Sequence, residues 1–552
     1  LTRFRITGGL IADGTGVPAL PADVAVEEGR IAAVAPPGHI DSRRFPDEIR
    51  AGGHIVAPGF IDLHSHADLI LALSDRELRG RLTRGRIAQG ITTEIVGNCG
   101  LGPAPLSASR EEELRGVLSW MTPAGMEWPW RSLGSYLDRL EELGTPVNVG
   151  SLAAHGALRI GEAGLQRSLP SSASIDAMCD ALARALAEGA YGLSVGLIYP
   201  PGSFTPGGEI GRLARVVGSR RALLAAHVRG SSETLLDAVA EIIGWGEGTG
   251  ARIHHSHSEA VGPDHWSKIP ELLAMEAEAR RRGISITWDM FPYTAAATTM
   301  AAIYPPWSLE GGISALVERL RDPATRRRIR HDIERIRPEW PPWNEGGWAH
   351  NLVEAVGWGR ITVGSVGSHE SEWAEGLDLA ELGRRGGGGP FEAVSDLMIT
   401  EGGNVSQIIH GVSGEPGNEE GILRLIRDPG GAFCTDANDT GRGRPHPAAY
   451  GAFPRVLGTF VRERGLLGLE EALRRMTSLP AAILGLRDRG IVRAGYRADL
   501  VILDPDRVGS AATWKQPRRL AEGIHAVFVN GRAVWRDGEA TGALPGMVLR
   551  AS

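Results

Sequence analysis

Cysteine is scarce in this chain: Cys99, Cys179 and Cys434 are the only three in 552 residues. An odd and sparse set cannot build a disulfide framework, which leaves a thiol free for a chemical task. Long apolar runs are also missing. No stretch of ~18 uncharged apolar residues occurs, so a membrane-spanning helix is not expected. The first ten residues, Leu1 to Leu10, alternate apolar with polar side chains and lack the apolar core of a secretory signal, so they read as a strand. The cytoplasm is the expected compartment. Excess basic charge is absent as well: the net charge is -7, which offers no footprint for nucleic acid. The Arg-rich stretch from Arg326 to Arg330 is followed by acids and reads as a solvated helix face.

With 42% hydrophobic and 23% charged residues, the chain has room for one large catalytic domain and a smaller companion. Short strand signals separated by turns fill residues 1–57. The same style returns in 489–552, where Asn530-Gly531 marks a hairpin between Ala526–Val529 and Arg532–Trp535. The two ends are therefore expected to meet in one small β-sandwich domain. Between them, in 58–488, strand-like runs at Val147, Gly192, Leu223 and Ile284 alternate with amphipathic helical stretches such as Ser174 to Gly189 and Ile269 to Gly283. That alternation predicts an α/β fold of the (β/α)8 type, a TIM-like barrel whose reactive groups lie at the C-terminal strand ends.

The run Phe60-Ile61-Asp62-Leu63-His64-Ser65-His66 ends in His-x-His, which places two imidazoles on the same face of a strand. Further metal-capable side chains end other apolar runs: Cys99, His227, His257 and Asp436. His255 shares the strand face of His257, and His254 stands beside them; His257 is the choice here. Thiolate, imidazole and carboxylate together are donors that zinc accepts, commonly three from protein with a water completing a catalytic site. Zinc would lower the pKa of that water to about 7 and polarise a scissile carbonyl. Asp436 is then the candidate general base, carrying a proton from water to the leaving nitrogen. Tyr199 or His155 is the candidate donor to the developing oxyanion.

These residues stand in a sequence that resembles the N-acyl-D-amino-acid deacylase (D-aminoacylase) branch of the amidohydrolase superfamily over nearly its whole length. The resemblance runs through Ala57 to His66, Gly90-Ile91-Thr92-Thr93, Val96-Gly97-Asn98-Cys99-Gly100, Gly192-Leu193-Ser194, Gly196 to Pro200, and His227-Val228-Arg229. It continues in Asp289 to Tyr293, Tyr450 to Gly458 and Gly523 to Gly531. His-x-His marks only the superfamily; Asn98-Cys99-Gly100 is much more specific to this branch. The resemblance implies a tightly held zinc on Cys99, His227 and His257, with a second, looser metal position at His64, His66 and Asp436. Cys99 would bridge the two. It also implies substrate contacts at Arg229 and Tyr293, and a small-molecule amide as substrate.

Two positions depart from the branch. Its members grip the substrate α-carboxylate with a basic residue two positions after the last metal histidine and with the arginine of a His-Pro-Arg element. Here those positions are Glu259 and Ala448. A carboxylate repels a carboxylate, and alanine offers no guanidinium fork. Arg442 and Arg444, on a loop nearby, are the candidates to compensate. The expected substrate is an amide without a free α-carboxylate, neutral or amine-bearing, with Glu259 facing it. A cyclic-amide hydrolase or an acyl-transfer or ring-closing enzyme on the same scaffold stays open, as does a non-catalytic barrel that kept the architecture alone.

Overall fold

The computed structural model describes residues 3–342 and 347–551. In chain order its strands are β1 (Arg3–Ile11), β2 (Leu20–Glu27), β3 (Arg30–Ala35), β4 (Asp47–Arg50), β5 (Ile55–Pro58), β6 (Phe60–Asp62) and β7 (Ile91–Val96). There follow β8 (Asn148–Ser151), β9 (Ala153–Ala154), β10 (Gly192–Gly196), β11 (Leu223–His227), β12 (Arg252–His255) and β13 (Ile286–Met290). The later part of the chain adds β14 (Ala295–Thr299), β15 (Ile361–Val366), β16 (Val405–His410) and β17 (Gly431–Phe433). It closes with β18 (Leu500–Leu503), β19 (Ile524–Val529), β20 (Arg532–Arg536) and β21 (Glu539–Ala540).

Both ends of the chain share one sheet. Its order is β21-β20-β19-β18-β5-β1-β2-β3, with β4 paired to β1. The junction is antiparallel pairing of β18 with β5, Leu503 opposite Ile55, and across it Phe4 stacks on Phe528 with ring centroids 5.3 Å apart. The β19–β20 hairpin turns through Asn530 and Gly531 at φ 47° and 76°, the left-handed pair that an Asn-Gly turn supplies at little steric cost.

The central strands pair in parallel. One arc is β6-β7-β8 and another is β9-β10-β11-β12-β13-β17. Leu152, the single residue between β8 and β9, donates its N–H to Val96 at 2.9 Å. At the other side, Asp436 beyond β17 donates its N–H to the His64 carbonyl at 2.9 Å. Helices Ser172–Ala187, Gly207–Ser219, Leu235–Gly246 and Ile269–Arg281 connect successive parallel strands. Such connections bury both sheet faces, which explains strands such as β10 and β11 with every residue buried.

Between β13 and β17 the chain departs from that alternation. β14, β16 and β15 form a separate antiparallel sheet. Together with helices Ile313–Arg321, Pro323–Arg335 and Pro390–Thr400 it has its own core, which includes Leu316, Ile329, Phe391 and Met398. The barrel reading of 58–488 did not anticipate this sheet, because short apolar runs look alike whichever sheet they join. Arg326 does lie on a helix, paired with Glu392 and Asp396 at 2.7 Å each. Among the described residues no helix is long and apolar enough to cross a membrane.

Candidate metal centre

His64 and His66 are not on a strand, as the sequence pattern had implied. β6 ends at Asp62, whose carboxylate accepts from the N–H of His64 at 3.3 Å and of Thr435 at 3.0 Å. Those bonds replace ladder pairing and turn the chain, so the two rings reach the site from a loop. A buried ion pair braces that loop. Arg86 donates to Glu94 at 2.7 Å, to the Ser65 hydroxyl at 2.8 Å and to the Ala437 carbonyl at 2.9 Å. One guanidinium therefore ties the His64–His66 loop to the segment that carries Asp436.

Cys99 follows β7 in an equally constrained turn. Asn98 donates its side-chain amide to the Ile95 carbonyl at 2.9 Å, and Asp68 accepts from the Gly97 N–H at 2.6 Å. Gly100 has φ 64°, and a Cβ there would lie 2.8 Å from the Gly196 nitrogen, so the turn needs glycine. This geometry accounts for the Gly97-Asn98-Cys99-Gly100 pattern.

The six residues converge. Cys99 Sγ lies 3.2 Å from His64 Nε2, 3.5 Å from His257 Nε2 and 3.7 Å from His227 Nδ1. Asp436 Oδ1 lies 3.3 Å from both His64 Nε2 and His66 Nε2. His64, His66 and Cys99 form one triplet of donor atoms and Cys99, His227 and His257 another, each within 4.8 Å. All but the partly buried Asp436 are buried. His254 and His255 have other partners: His254 meets Asp289 at 2.9 Å, and His255 meets Glu276 at 2.8 Å. Asp289 also accepts from the His257 N–H at 2.5 Å and lies 3.5 Å from His64 Nδ1. A carboxylate behind a histidine in this way orients the ring and raises its basicity.

Charge in the cluster follows from these contacts. Burial alone would push the Cys99 thiol up, but His64 and the hydrogen-bonding rings of His227 and His257 hold it well below the ordinary thiol range. Burial likewise opposes the charge on Asp436, and His64, His66 and His257 overcome it and keep the carboxyl below its usual range. Burial and the neighbouring His257 bring His227 down to about 4. A thiolate, a carboxylate and imidazoles sharing donor distances form a set that a borderline divalent ion neutralises.

A cavity of about 530 Å³ opens onto the cluster, walled by apolar Leu101, Trp120 and Ile409 and by polar Ser231, Glu259 and His350. No lysine or arginine is among its described lining residues. Glu259 is buried, with Oε2 unpartnered; burial raises its carboxyl to about 7, less the pull of His257. Tyr199 also faces the cavity. Its oxygen accepts from Thr298 at 2.8 Å, which leaves its own proton free to donate. Burial, aided by the Cys99 thiolate, holds that hydroxyl well above its ordinary pKa.

Three other expected substrate contacts lie off this cavity. His155 pairs through Nε2 with buried Glu209 at 2.9 Å, which commits that ring nitrogen to the core rather than to an oxyanion. Arg229 pairs with Glu241 at 2.8 Å and lines a neighbouring cavity with Trp348. Tyr293 packs edge-on against His446, 4.9 Å between centroids, with the Arg455 guanidinium over its ring at 4.9 Å. Arg442 and Arg444 line an adjoining cavity of about 350 Å³ that shares Trp120 and Ala297 with the first. The sequence reading missed Ser231, Thr298 and His350, which carry no motif of their own.

Residues 47–199 and 359–535 match the profile described as the amidohydrolase family. The chain is 32% identical over 549 residues to an N-acyl-D-glutamate deacylase of Alcaligenes xylosoxydans xylosoxydans, covering 99% of this chain and 96% of that protein. It is 29% identical over 545 residues to a D-aminoacylase of the same organism, at the same coverage. Among solved structures it superposes with a TM-score of 0.80 on an N-acyl-D-glutamate deacylase from Bordetella bronchiseptica, complexed with zinc and a phosphonate inhibitor. That protein is 31% identical, with 99% of both chains covered.

Proposed function

This chain belongs to the amidohydrolase family, hydrolases of carbon–nitrogen bonds other than peptide bonds, and from that premise we propose that it is a zinc-dependent enzyme cleaving a linear N-acyl amide whose substrate lacks a free α-carboxylate. Cys99, His227 and His257 would hold the tighter zinc. His64, His66 and Asp436 would form the second position, with Cys99 reaching both. The eight parallel strand positions, with β8 and β9 counted as one, support a (β/α)8 barrel over 58–488. Residues 1–57 and 489–552 would make up a small β-sandwich domain beside it.

When bound, zinc supplies a nucleophilic water near neutral pH and polarises the carbonyl. This chain's own groups do the rest. Asp436 accepts the proton of the attacking water and returns it to the leaving nitrogen, without which an amine leaves poorly. Tyr199 donates its free O–H to the oxyanion. Asp289 holds His64 and the His257 backbone in register.

The observation that carries the substrate reading is the pocket's lining: Glu259 faces it, and neither lysine nor arginine is among its described lining residues to meet a carboxylate. An anionic end of the substrate would meet Arg442 and Arg444 only in the adjoining cavity. The test compares kcat/KM for N-acetyl-D-amino acids with their carboxamide and amine analogues on zinc-loaded protein. The analogues should be preferred; a strong preference for the free acids would overturn the substrate reading while leaving the hydrolase intact.

A further inference from the structure

A second set of metal-capable side chains meets in the sheet built from both chain ends. His54 immediately precedes β5, Asp504 immediately follows β18, and His525 lies in β19, so three adjacent strands deliver one donor each. The β18–β19 register shifts between Ile502, opposite Ala526, and Leu503, opposite Ile524. His525 is therefore the extra residue of a bulge, a device that re-aims a side chain out of the regular alternation. The result brings donor atoms of His54, Asp504 and His525 within 4.8 Å of one another. The two rings meet nearly edge-on, centroids 4.2 Å apart and planes at 69°. His54 Nδ1 is buried and has no hydrogen-bond partner. Asp504 uses one oxygen to accept from the Asp506 N–H at 2.9 Å.

We propose that His54, Asp504 and His525 form a structural site for a divalent transition ion of the zinc class, separate from the catalytic cluster. Two imidazoles and a carboxylate select zinc-like ions over magnesium or calcium, which favour all-oxygen shells. The half-buried setting keeps a position open for water as a further ligand. Asp537 beside His525 adds negative charge, and Arg507 opposes it. His54 comes from the beginning of the chain and the other two donors from its last tenth. An ion there would close a loop around nearly the whole protein, where binding free energy becomes folding free energy.

The test uses this whole chain already loaded with zinc at the catalytic cluster, dialysed against micromolar zinc. Wild type should hold one more zinc per chain than His54→Ala/His525→Ala. Its unfolding midpoint should rise with added zinc, and that rise should vanish in the double variant while turnover stays unchanged. His525→Gln, which keeps side-chain bulk, should weaken the extra ion at least tenfold and guards against a folding defect in the double variant. Equal zinc content and an equal midpoint response in wild type and both variants would overturn the site.

Discussion

Cys99 Sγ and His257 Nε2 stand 3.5 Å apart, and both residues hold left-handed backbone, at φ 53° and 36°. Asp436 shares this conformation at φ 46°. Such angles are uncommon outside glycine and cost about 1–3 kcal/mol each. All three residues lie just past the ends of β7, β12 and β17. There the reversal folds the chain back over the strand ends and brings thiol, ring and carboxylate together. The surrounding bonds to Asn98, Asp289 and His64 offset the strain.

Cys99→Ala and Asp436→Asn should separate metal holding from proton transfer. The first should weaken tight zinc by more than about 100-fold, read by metal analysis after dialysis, since outer-shell changes alone cost up to that much. The second should retain the tight zinc and lose about 10²–10⁴ in kcat. A non-catalytic barrel would tolerate both.

Tyr199→Phe removes the hydroxyl, and with it both the free proton and the acceptor for Thr298. kcat should fall by about 10²-fold with KM little changed, as for loss of an oxyanion donor. Equal loss in KM would instead assign Tyr199 to ground-state binding.

Glu259→Lys reverses the charge that faces the substrate. The ratio of kcat/KM for an N-acetyl-D-amino acid to that for its carboxamide should rise by at least about tenfold, equivalent to ~1.4 kcal/mol. An unchanged ratio would remove Glu259 from specificity.

His446 sets an acid limit on stability. Its Nε2 faces the Ala295 carbonyl at 2.8 Å, and its Nδ1 accepts from the Ala448 N–H at 3.0 Å, so the ring is held neutral. Burial, only partly offset by the Ala295 carbonyl, lowers its pKa from 6.5 to about 4. Between those values the unfolded chain binds a proton that the folded chain refuses. The stabilisation is complete above pH 6.5 and is lost as pH falls toward 4, at up to about 1.4 kcal/mol per pH unit. Chemical denaturation across that window should show a shallower slope for His446→Gln than for wild type; equal slopes would refute the assignment.

The donor types were legible because each sits where an apolar run stops. His227 ends β11 as its run implied, and the choice of His257 over His254 and His255 agrees with the partners those two find in Asp289 and Glu276. Spacing alone misread the His64–His66 segment, since nothing local in Leu63-His64-Ser65 announces that Asp62 will bind Thr435 from far along the chain. His155 and Tyr199 looked equivalent as donors. Only the location of Glu209 and Thr298 tells them apart, and both are remote in sequence.

Composition, the periodicity of the apolar runs and the His-x-His and Asn-Cys-Gly motifs were enough to point to the strand–helix alternation and to metal-capable side chains at the ends of apolar runs, because these are read from neighbours within a few residues. The inserted β14–β16 sheet, the pocket wall of Ser231, Thr298 and His350, the left-handed turns at Cys99, His257 and Asp436, and the bulge that turns His525 toward His54 were decided by tertiary structure. Each depends on contacts between segments far apart in the chain, and no local pattern encodes which distant group will arrive.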